Sequence, residues 1–190
     1  MTKEEILRIF KKSNALLEGH FQLTSGLHSP QYFQCAKVLQ YPEYMVALCG
    51  EIANHFQTVA IDVVISPAMG GIIVGQEVGR QLNRRTMFAE RKDGVLQLRR
   101  GFEIAQGEKV LVCEDVITTG GSVKEVIEIV RKNGGEIVGV GGIVDRSGGH
   151  VQFNNFFATM VLDVVTYQPN SCPMCKQGKP IDKPGSRSNA

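Results

Sequence analysis

The sequence predicts an α/β fold in which a central parallel sheet is flanked by helices. From residue 61 onward, short apolar runs alternate with segments of helical periodicity, which is typical of parallel strands joined by crossover helices. The chain has 190 residues, 43% of them hydrophobic, so it can bury one substantial core. These observations predict a single domain over residues 1–190.

The first sixty residues are predicted to contain two helices with an irregular segment between them. Apolar spacing predicts an amphipathic helix over residues 4–17. Breakers such as Ser25-Gly26 make residues 21–35 irregular, although Gln31 to Gln34 has the aromatic content of a strand. An apolar periodicity that starts at a proline predicts the second helix over residues 42–56.

The rest of the chain supplies the predicted sheet and its crossover helices. Its strands are expected at residues 61–65, 86–89, 109–113, 137–144 and 160–165. Helices are expected at 70–82 and from 123 to a natural end at Gly134. The charged turn 90–94 joins two antiparallel arms, the second of which ends near 99–101, and the tail 168–190 is mostly irregular.

Composition excludes several classes of function. Lys and Arg number 21 against 19 Asp and Glu, and a formal charge of +2 argues against a nucleic-acid partner. No apolar run approaches the roughly 18 residues that a membrane span needs, and Met1 to Glu5 does not resemble a signal peptide. A soluble, cytoplasmic protein is therefore expected.

Five cysteines, an odd number, favour a reducing compartment over a disulfide framework. Cys35, Cys49 and Cys113 have apolar neighbours and are expected to be buried. Cys172 and Cys175 form half of a zinc ribbon, but no second pair follows, so a proline-containing turn is the preferred interpretation. Zinc shared between two copies of the chain stays open, and all four histidines are expected to be structural.

The stretch VLVCEDVITTGGSVK, residues 110–124, carries the clearest chemistry. Glu114 and Asp115 follow a buried strand, at the edge of a parallel sheet where ligands bind. The loop Thr118 to Ser122 then opens a helix, whose free amides and dipole attract an anion such as phosphate. Because carboxylates repel phosphate, the acids must serve another part of the same ligand. Ribose hydroxyls fit that role, so the stretch predicts a site for a phosphorylated sugar.

Two rival interpretations of this stretch are weaker. The acidic strand of an NTPase would position Mg²⁺, but it requires a P-loop, and the sequence contains no G-x-x-x-x-G-K-[ST]. A helix cap rich in Thr and Ser would explain the hydroxyls, yet it leaves two adjacent acids unexplained.

The pattern VLVCEDVITTGGS resembles the phosphoribosyl-diphosphate signature of the type I phosphoribosyltransferases. Further stretches resemble the orotate-using bacterial branch with a short charged loop: FQLTSGLHSPQYFQ, ISPAMGGIIVG, FAERKDGVLQLRRGFEI, GIVDRSGG and CPMCKQGKPIDKPGSR. The resemblance runs from about residue 16 to 187. It implies a type I phosphoribosyltransferase fold, with residues from about 1–40 and 168–187 forming a small hood over the base site.

The resemblance also implies an activity, a cofactor and partners. The implied reaction moves a phosphoribosyl group from 5-phospho-α-D-ribose 1-diphosphate to orotate, with Mg²⁺ carried by the diphosphate rather than held directly by protein ligands. A homodimer with active sites near the interface is implied as well. Two other functions stay open: a purine or xanthine phosphoribosyltransferase, and a non-catalytic regulator that binds phosphoribosyl diphosphate.

Site residues follow from the same resemblance, position by position. Catalytic roles fall on Glu114, Asp115, Arg91 and Lys92. Substrate-binding roles fall on Thr24, Ser25, Tyr32, Phe33, Ala68, Met69, Gly70, Gly71, Arg99, Arg100, Thr118, Thr119, Gly120, Gly121, Ser122 and Arg146. Within this set, the acids would hold the ribose, 118–122 the 5′-phosphate, 67–71 the pyrophosphate, and Arg146 the orotate carboxylate.

The chain also departs from better-known relatives. Those proteins carry Lys at the positions of Met69 and Thr24, and a longer loop with catalytic Lys and His between Lys92 and Gly101. Here the hairpin is short and has no His, so Arg99 or Arg100 is the expected cover for the diphosphate.

Overall fold

A computed structural model describes residues 1–23 and 25–184 of the chain. The helices are α1 (Lys3–Lys12), α2 (Ala36–Leu39), α3 (Pro42–Phe56), α4 (Gly70–Leu82), α5 (Gly121–Lys132) and α6 (Pro173–Lys176). The strands are β1 (Leu16–Gln22), β2 (His28–Phe33), β3 (Val63–Pro67), β4 (Arg85–Lys92), β5 (Val95–Leu98), β6 (Lys109–Ile117), β7 (Glu136–Asp145) and β8 (Phe156–Val161).

Six strands form the central sheet, in the order β5-β4-β3-β6-β7-β8. The neighbours from β4 to β8 pair in parallel, and only β5 runs antiparallel to its partner β4. The predicted α/β fold with a central parallel sheet is confirmed, and so is the charged hairpin, whose turn at Asp93 and Gly94 has left-handed backbone.

The strand order reverses between β3 and β6. The chain leaves β3 toward β4 on one side and leaves β6 toward β7 on the other, so α4 and α5 cover opposite faces of the sheet. On one face α4 packs with α3 through Leu48, Val74 and Val78. On the other, Val123, Val126 and Val130 of α5 bury against the strands. At such a reversal, a crevice opens outside the carboxyl ends of the two central strands.

Helix α4 lies unusually close to the sheet because its inner face is glycine. A Cβ at Gly75 would fall 2.0 Å from the Ser66 hydroxyl oxygen, and one at Gly79 would fall 2.1 Å from a Thr86 methyl. The close approach positions the first turn of α4 directly above the end of β3.

The predicted helix over 4–17 is too long. A capping box between Thr2 and Glu5 starts α1, but the helix ends at Lys12, where Ser13 caps it and donates its hydroxyl to the Ile9 carbonyl. Asn14 then adopts left-handed backbone, with φ of 53°, which no helix continues. The apolar residues after it belong to β1 instead.

The last predicted strand is displaced, whereas α3 and α4 have the expected bounds. Strand β8 runs from Phe156 to Val161 because its partner β7 ends at Asp145, which pairs with Val161. The strand does not continue through residues 162–165 as predicted, although the Leu162 N–H still donates to the Asp145 carbonyl at 2.8 Å. Strand β6 is longer than predicted and includes both acids of the motif.

Strands β1 and β2 form a separate antiparallel hairpin. Residues 21–35 were predicted to be irregular, but β2 includes most of the segment from Gln31 to Gln34 whose aromatic content had indicated a strand. The tail lies beside the hairpin: Asp182 bridges to Phe21, and Tyr167 bridges to His28. Apart from a 3-10 turn at Pro169–Ser171 and α6, the described part of the tail is irregular, as predicted, and residues 185–190 lie outside the described range. Among the described residues, no helix combines the length and apolarity that crossing a membrane requires.

The glycine face of α4 predicts a specific sensitivity. We expect Gly75→Ala to lower the free energy of unfolding by about 1–3 kcal/mol, because the new methyl overlaps the buried Ser66 side chain. Urea unfolding checks this value. In the control Gly50→Ala, the added methyl meets the Gln81 side-chain oxygen at 3.3 Å, and stability should hold or rise. Equal losses in both variants would refute the close packing.

Candidate active site

The site lies where β3 and β6 end side by side. The two strands pair in parallel, with Ile65 opposite Val112, so their carboxyl ends meet at one edge of the sheet. A glycine-bearing turn follows each strand and leads straight into a helix, 67–71 into α4 and 118–122 into α5. Two helix N-termini therefore face the crevice, and each offers unpaired N–H groups to an anion.

The paired acids connect the two turns. A Cβ at Gly70 would lie 2.2 Å from Asp115 Oδ2, and a Cβ at Gly71 would lie 3.0 Å from Glu114 Oε1. Both carboxyl groups thus rest against the first turn of α4, which only glycine permits at this distance. Glu114 Oε1 also accepts the Asp115 N–H at 3.1 Å, and Asp115 Oδ1 accepts the Val116 N–H at 2.9 Å.

Burial decides the charge of Glu114. Its side chain is 8% exposed, and desolvation, reinforced by the adjacent Asp115, raises the pKa of Glu114 to about 9. Near neutral pH, Glu114 is therefore a neutral acid that can donate a hydrogen bond. One negative charge is thereby removed from beside the anion-binding turn.

The turn after β6, here called the phosphate turn after its predicted role, encloses a small cavity of about 230 Å³, here called the phosphate cavity. Residues that line it include Glu114, Thr118 to Ser122 and Glu125. Gly120 adopts left-handed backbone, with φ of 71°, and caps α5. A Cβ there would approach the Phe153 ring to 2.9 Å, so glycine is needed for space as well as conformation. The structure thus brings all five predicted phosphate-binding residues to one concave surface.

The turn after β3 is held by the Ala68 N–H, which donates to the Ala89 carbonyl at 2.8 Å. The peptide bond between Ala68 and Met69 is cis. The Met69 side chain is 82% exposed, and it is the following Gly70 that lies against Asp115.

Arg146 lies at the end of β7, on a second cavity of about 680 Å³. The backbone N–H of Arg146 donates to the Ile117 carbonyl at 2.8 Å, which fixes the backbone beside the phosphate turn. Burial lowers the pKa of Arg146, while neighbouring Tyr32 acts in the opposite direction. Its buried Nε has no hydrogen-bond partner within residues 1–23 and 25–184. Such a donor calls for an acceptor from a ligand.

The residues predicted for the base pocket separate into different environments. Ser25 lines the Arg146 cavity, and Thr118 and Thr119 line both this cavity and the phosphate cavity. Tyr32 is half-buried on β2. Phe33 is instead buried in the core, with its ring centroid 4.8 Å from that of Phe10. Thr24 lies outside the described residues.

The hairpin cations are paired with acids. Arg91 binds Glu125 at 2.8 Å, an ion pair that reaches from β4 to the wall of the phosphate cavity. Arg99 and Arg100 both contact Glu90, at 3.3 and 2.9 Å. The arginines are exposed and Glu90 is half-buried, so water reaches these pairs and a competing anion can replace the acids. Lys92 is exposed at the end of β4.

Two residues in the first turns of α5 line the cavities but were not predicted as site residues. Lys124 lines the Arg146 cavity, and Glu125 lines the phosphate cavity and holds Arg91. Both residues follow the glycine loop by one helical turn, and this spacing in the sequence could have identified them as neighbours of the predicted phosphate site. Asp163 and Thr166, also on the Arg146 cavity, follow β8, whose misplaced bounds concealed them.

Comparison with known proteins places this geometry in a family. Residues 40–157 match the phosphoribosyl transferase domain model. Among solved structures, UMP synthase of Leishmania donovani aligns with a TM-score of 0.70 at 23% identity, covering 85% of this chain and 37% of that one. Orotate phosphoribosyltransferase from Aeropyrum pernix aligns with a TM-score of 0.68 at 24% identity, covering 83% and 93%. The fold is that of a type I phosphoribosyltransferase.

Relatives of higher sequence identity show which kind of phosphoribosyltransferase the chain resembles. Orotate phosphoribosyltransferase of Chlorobaculum parvum is 61% identical over 191 residues, covering 100% of this chain and 99% of the relative. That of Caldicellulosiruptor bescii is 56% identical, covering 98% and 99%. The chain belongs to the orotate phosphoribosyltransferase family, as the sequence motifs had indicated.

The raised pKa of Glu114 predicts a pH dependence of stability. The group ionises near 4.5 when unfolded and near 9 when folded, so the stability it contributes is present below pH 4.5 and is lost as the pH rises toward 9. Glu114→Gln cannot ionise. Its free energy of unfolding relative to wild type should therefore be higher near about pH 8 than near about pH 5.5, by about 1–3 kcal/mol.

Urea unfolding at both pH values measures this difference. Glu125→Gln is the matched control, because its ion pair with Arg91 lowers the pKa of Glu125, and a lowered pKa changes stability only below 4.5. The Glu125→Gln difference should be the same at the two pH values. A Glu114→Gln difference that is equally flat would contradict the buried neutral acid.

Proposed function

We propose that the protein uses the β3–β6 crevice to transfer a phosphoribosyl group from 5-phospho-α-D-ribose 1-diphosphate to orotate, as its family does in UMP biosynthesis. The products are orotidine 5′-monophosphate and pyrophosphate. One observation carries the assignment to this crevice: the carboxyl groups of Glu114 and Asp115 touch the α4 turn while the same strand leads into the α5 turn. A sugar with a phosphate at each end fits between two anion-binding turns with acids in the middle.

In this proposal each part of the sugar diphosphate has its own surface. The 5′-phosphate lies in the 230 Å³ cavity of the Thr118–Ser122 turn. The ribose hydroxyls meet Glu114 and Asp115, which can accept hydrogen bonds, and neutral Glu114 can also donate one. The diphosphate lies on the amides of 68–71, at the N-terminus of α4.

Orotate would occupy the cavity of Arg146. The unpartnered Nε supports this placement, since a carboxylate supplies the acceptor that the buried guanidinium lacks among the described residues. Thr118 and Thr119 border both cavities, so a base bound there lies next to the sugar. Ser25 and Tyr32 would contact the base from the hairpin side, whereas Phe33 would act through the core behind it.

The chemistry is a substitution at C1 of the ribose. The N1 lone pair of orotate forms the new bond, the electron pair of the C1–O bond leaves with pyrophosphate, and the proton on N1 passes to pyrophosphate or to water. Positive charge develops on the sugar beside the acids, and negative charge develops on the leaving group. Arg91 and Lys92 would face that leaving group, because β4 ends at the same sheet edge as β3. Positioning and preorganised charge therefore supply the catalysis.

Arg99 or Arg100 would cover the diphosphate after exchanging Glu90 for phosphate oxygens. Their positions support this, since β5 returns antiparallel along β4 and brings them opposite Glu90. Both arginines reach solvent, so a multiply charged anion can replace Glu90 as their partner.

We propose that the reaction uses Mg²⁺, which the sugar diphosphate would carry into the crevice. When bound, this ion would neutralise the leaving group. The oxygen donors at the strand end, Asp115 above all, fit the hard ligands that Mg²⁺ takes. Among the described residues, no group of three acids gathers at the crevice as a protein-only site would need. The proposal also includes a homodimer, with the charged hairpin of one subunit near the other's site, in the cytoplasm.

A direct assay tests the activity. Mixing the protein with orotate, phosphoribosyl diphosphate and Mg²⁺ should lower the orotate absorbance and release an equal amount of pyrophosphate. Uracil and hypoxanthine, offered in parallel, should release much less, because neither has a carboxylate for Arg146. Turnover of hypoxanthine above that of orotate would favour the purine alternative. Binding of the diphosphate without base-dependent pyrophosphate release would favour the non-catalytic regulator.

Two substitutions should affect different substrates. Arg146→Ala should raise the KM for orotate about tenfold or more, with a smaller effect on phosphoribosyl diphosphate, because it removes a charged hydrogen-bond donor worth about 1.5–3 kcal/mol. Asp115→Asn should raise the KM for phosphoribosyl diphosphate instead. Arg131→Ala, an exposed arginine paired with Glu128 on α5, is the control and should match wild type. If either active-site variant affected both substrates equally, its assigned role would be wrong.

A further inference from the structure

The hairpin and the tail bring four potential metal ligands together. His20 lies on β1 and His28 on β2, while Cys172 precedes α6 and Cys175 lies within it. One ligand atom from each residue lies within 4.8 Å of all the others. Both histidines and Cys172 are buried, and Cys175 is half-buried. The expected proline turn is present, but its cysteines face two histidines that the sequence analysis had treated as structural.

The separations match a tetrahedral metal site. His20 Nε2 lies 3.0 Å from His28 Nδ1. Cys172 Sγ lies 3.6 Å from His20 Nε2, and Cys175 Sγ lies 3.7 Å from the same atom and 3.3 Å from His28 Nδ1. A zinc tetrahedron with bonds of about 2.0–2.3 Å separates two nitrogens by about 3.3 Å and a nitrogen and a sulfur by about 3.6 Å.

A further contact orients one of the ligands. His20 Nδ1 lies 2.9 Å from the Lys179 carbonyl, which can only accept a hydrogen bond. Nδ1 is therefore the protonated nitrogen, and the Nε2 lone pair is directed at the cluster. Backbone carbonyls commonly orient metal-bound histidines in this way. A hydrogen bond between the two rings would use His20 Nε2, but it gives no reason for two thiols to converge on the same point.

We propose that His20, His28, Cys172 and Cys175 form a structural Zn²⁺ site within one chain. Two sulfur and two nitrogen ligands at tetrahedral separations favour zinc over magnesium or calcium, which take oxygen ligands. Four protein ligands close the coordination shell, so the site has no open position for a substrate. Zinc shared between two chains is unnecessary, because the second pair of ligands comes from the hairpin.

The site would join the tail to the hairpin through side chains, in addition to the backbone hydrogen bonds between them. A two-stranded hairpin alone is marginally stable, and a metal bond adds the missing constraint. Backbone hydrogen bonds flank the ligands on both sides, from Gln22 to Asp182 and between His28 and Tyr167. The loop between β1 and β2 contributes Leu23, Ser25 and Leu27 to the wall of the Arg146 cavity. The metal would therefore hold that wall in place.

Metal analysis tests the site without any assay of activity. Full-length protein, purified without a metal-affinity tag or chelator, should contain about one zinc per chain by mass spectrometry. Cys172→Ser and Cys175→Ser should each reduce zinc at least tenfold. Cys49→Ala, which removes a buried thiol on α3 outside the cluster, is the matched control and should keep its zinc. Equal zinc in all four proteins, or none in wild type, would overturn the proposal.

Cobalt provides a second readout, and chelation provides one that needs no variant. Wild-type protein loaded with Co²⁺ should show the intense visible bands of tetrahedral cobalt and a thiolate charge-transfer band, and Cys172→Ser should lose them. Chelating wild-type protein should lower its Tm, and added zinc should restore it. A Cys172–Cys175 disulfide in freshly purified protein, detected as a loss of two mass units, would contradict the metal site.

The inference that zinc supports orotate binding, by holding the wall of the Arg146 cavity in place, rests on the proposed function. Chelated protein should show a raised KM for orotate and a smaller change for phosphoribosyl diphosphate, and added zinc should reverse both. If zinc is bound but chelation leaves the orotate KM unchanged, the anchoring role is wrong while the metal site stands. If the protein has no activity at all, the zinc and cobalt measurements still decide the site.

Discussion

The reversal of strand order between β3 and β6 is the constraint on which the site depends. It sends α4 and α5 to opposite faces, so that both helix N-termini open onto one crevice. The reversal also explains why the glycines of α4 face β3 and the acids: the helix must approach the sheet closely for Gly70 and Gly71 to meet Asp115 and Glu114. A ligand with two phosphates and a diol between them matches this arrangement.

The net charge in the crevice depends on the burial of its acids and on the ion pairs of its arginines. Burial raises the pKa of Glu114 to about 9, so the acid beside the phosphate turn carries no charge at neutral pH. The exposed arginines of the hairpin are balanced by Glu90 and Glu125. Arg146 is different, because it is buried and its Nε has no partner in the described structure. That asymmetry is why the base, rather than the diphosphate, is assigned to Arg146.

The sequence predicted correctly those features that depend only on residues close together in the chain. The periodicity of α3 and α4, the charged hairpin and the acid–glycine motif at β6 all depend on neighbouring residues. The end of α1 was missed because a left-handed Asn14 ends the helix while apolar residues continue. The bounds of β8 depend on the length of its partner β7. The proximity of His20 and His28 to Cys172 and Cys175 was missed because the histidines lie on the first two strands, a distance in sequence that no motif spans.

A crystal structure with phosphoribosyl diphosphate and Mg²⁺ bound tests the central claim most directly. The 5′-phosphate should lie on the N–H groups of 118–122, the diphosphate on those of 68–71, and the ribose hydroxyls within hydrogen-bond distance of Glu114 and Asp115. Density for the compound at another surface, or carboxyl groups turned away from the ribose with the compound in the crevice, would contradict the account.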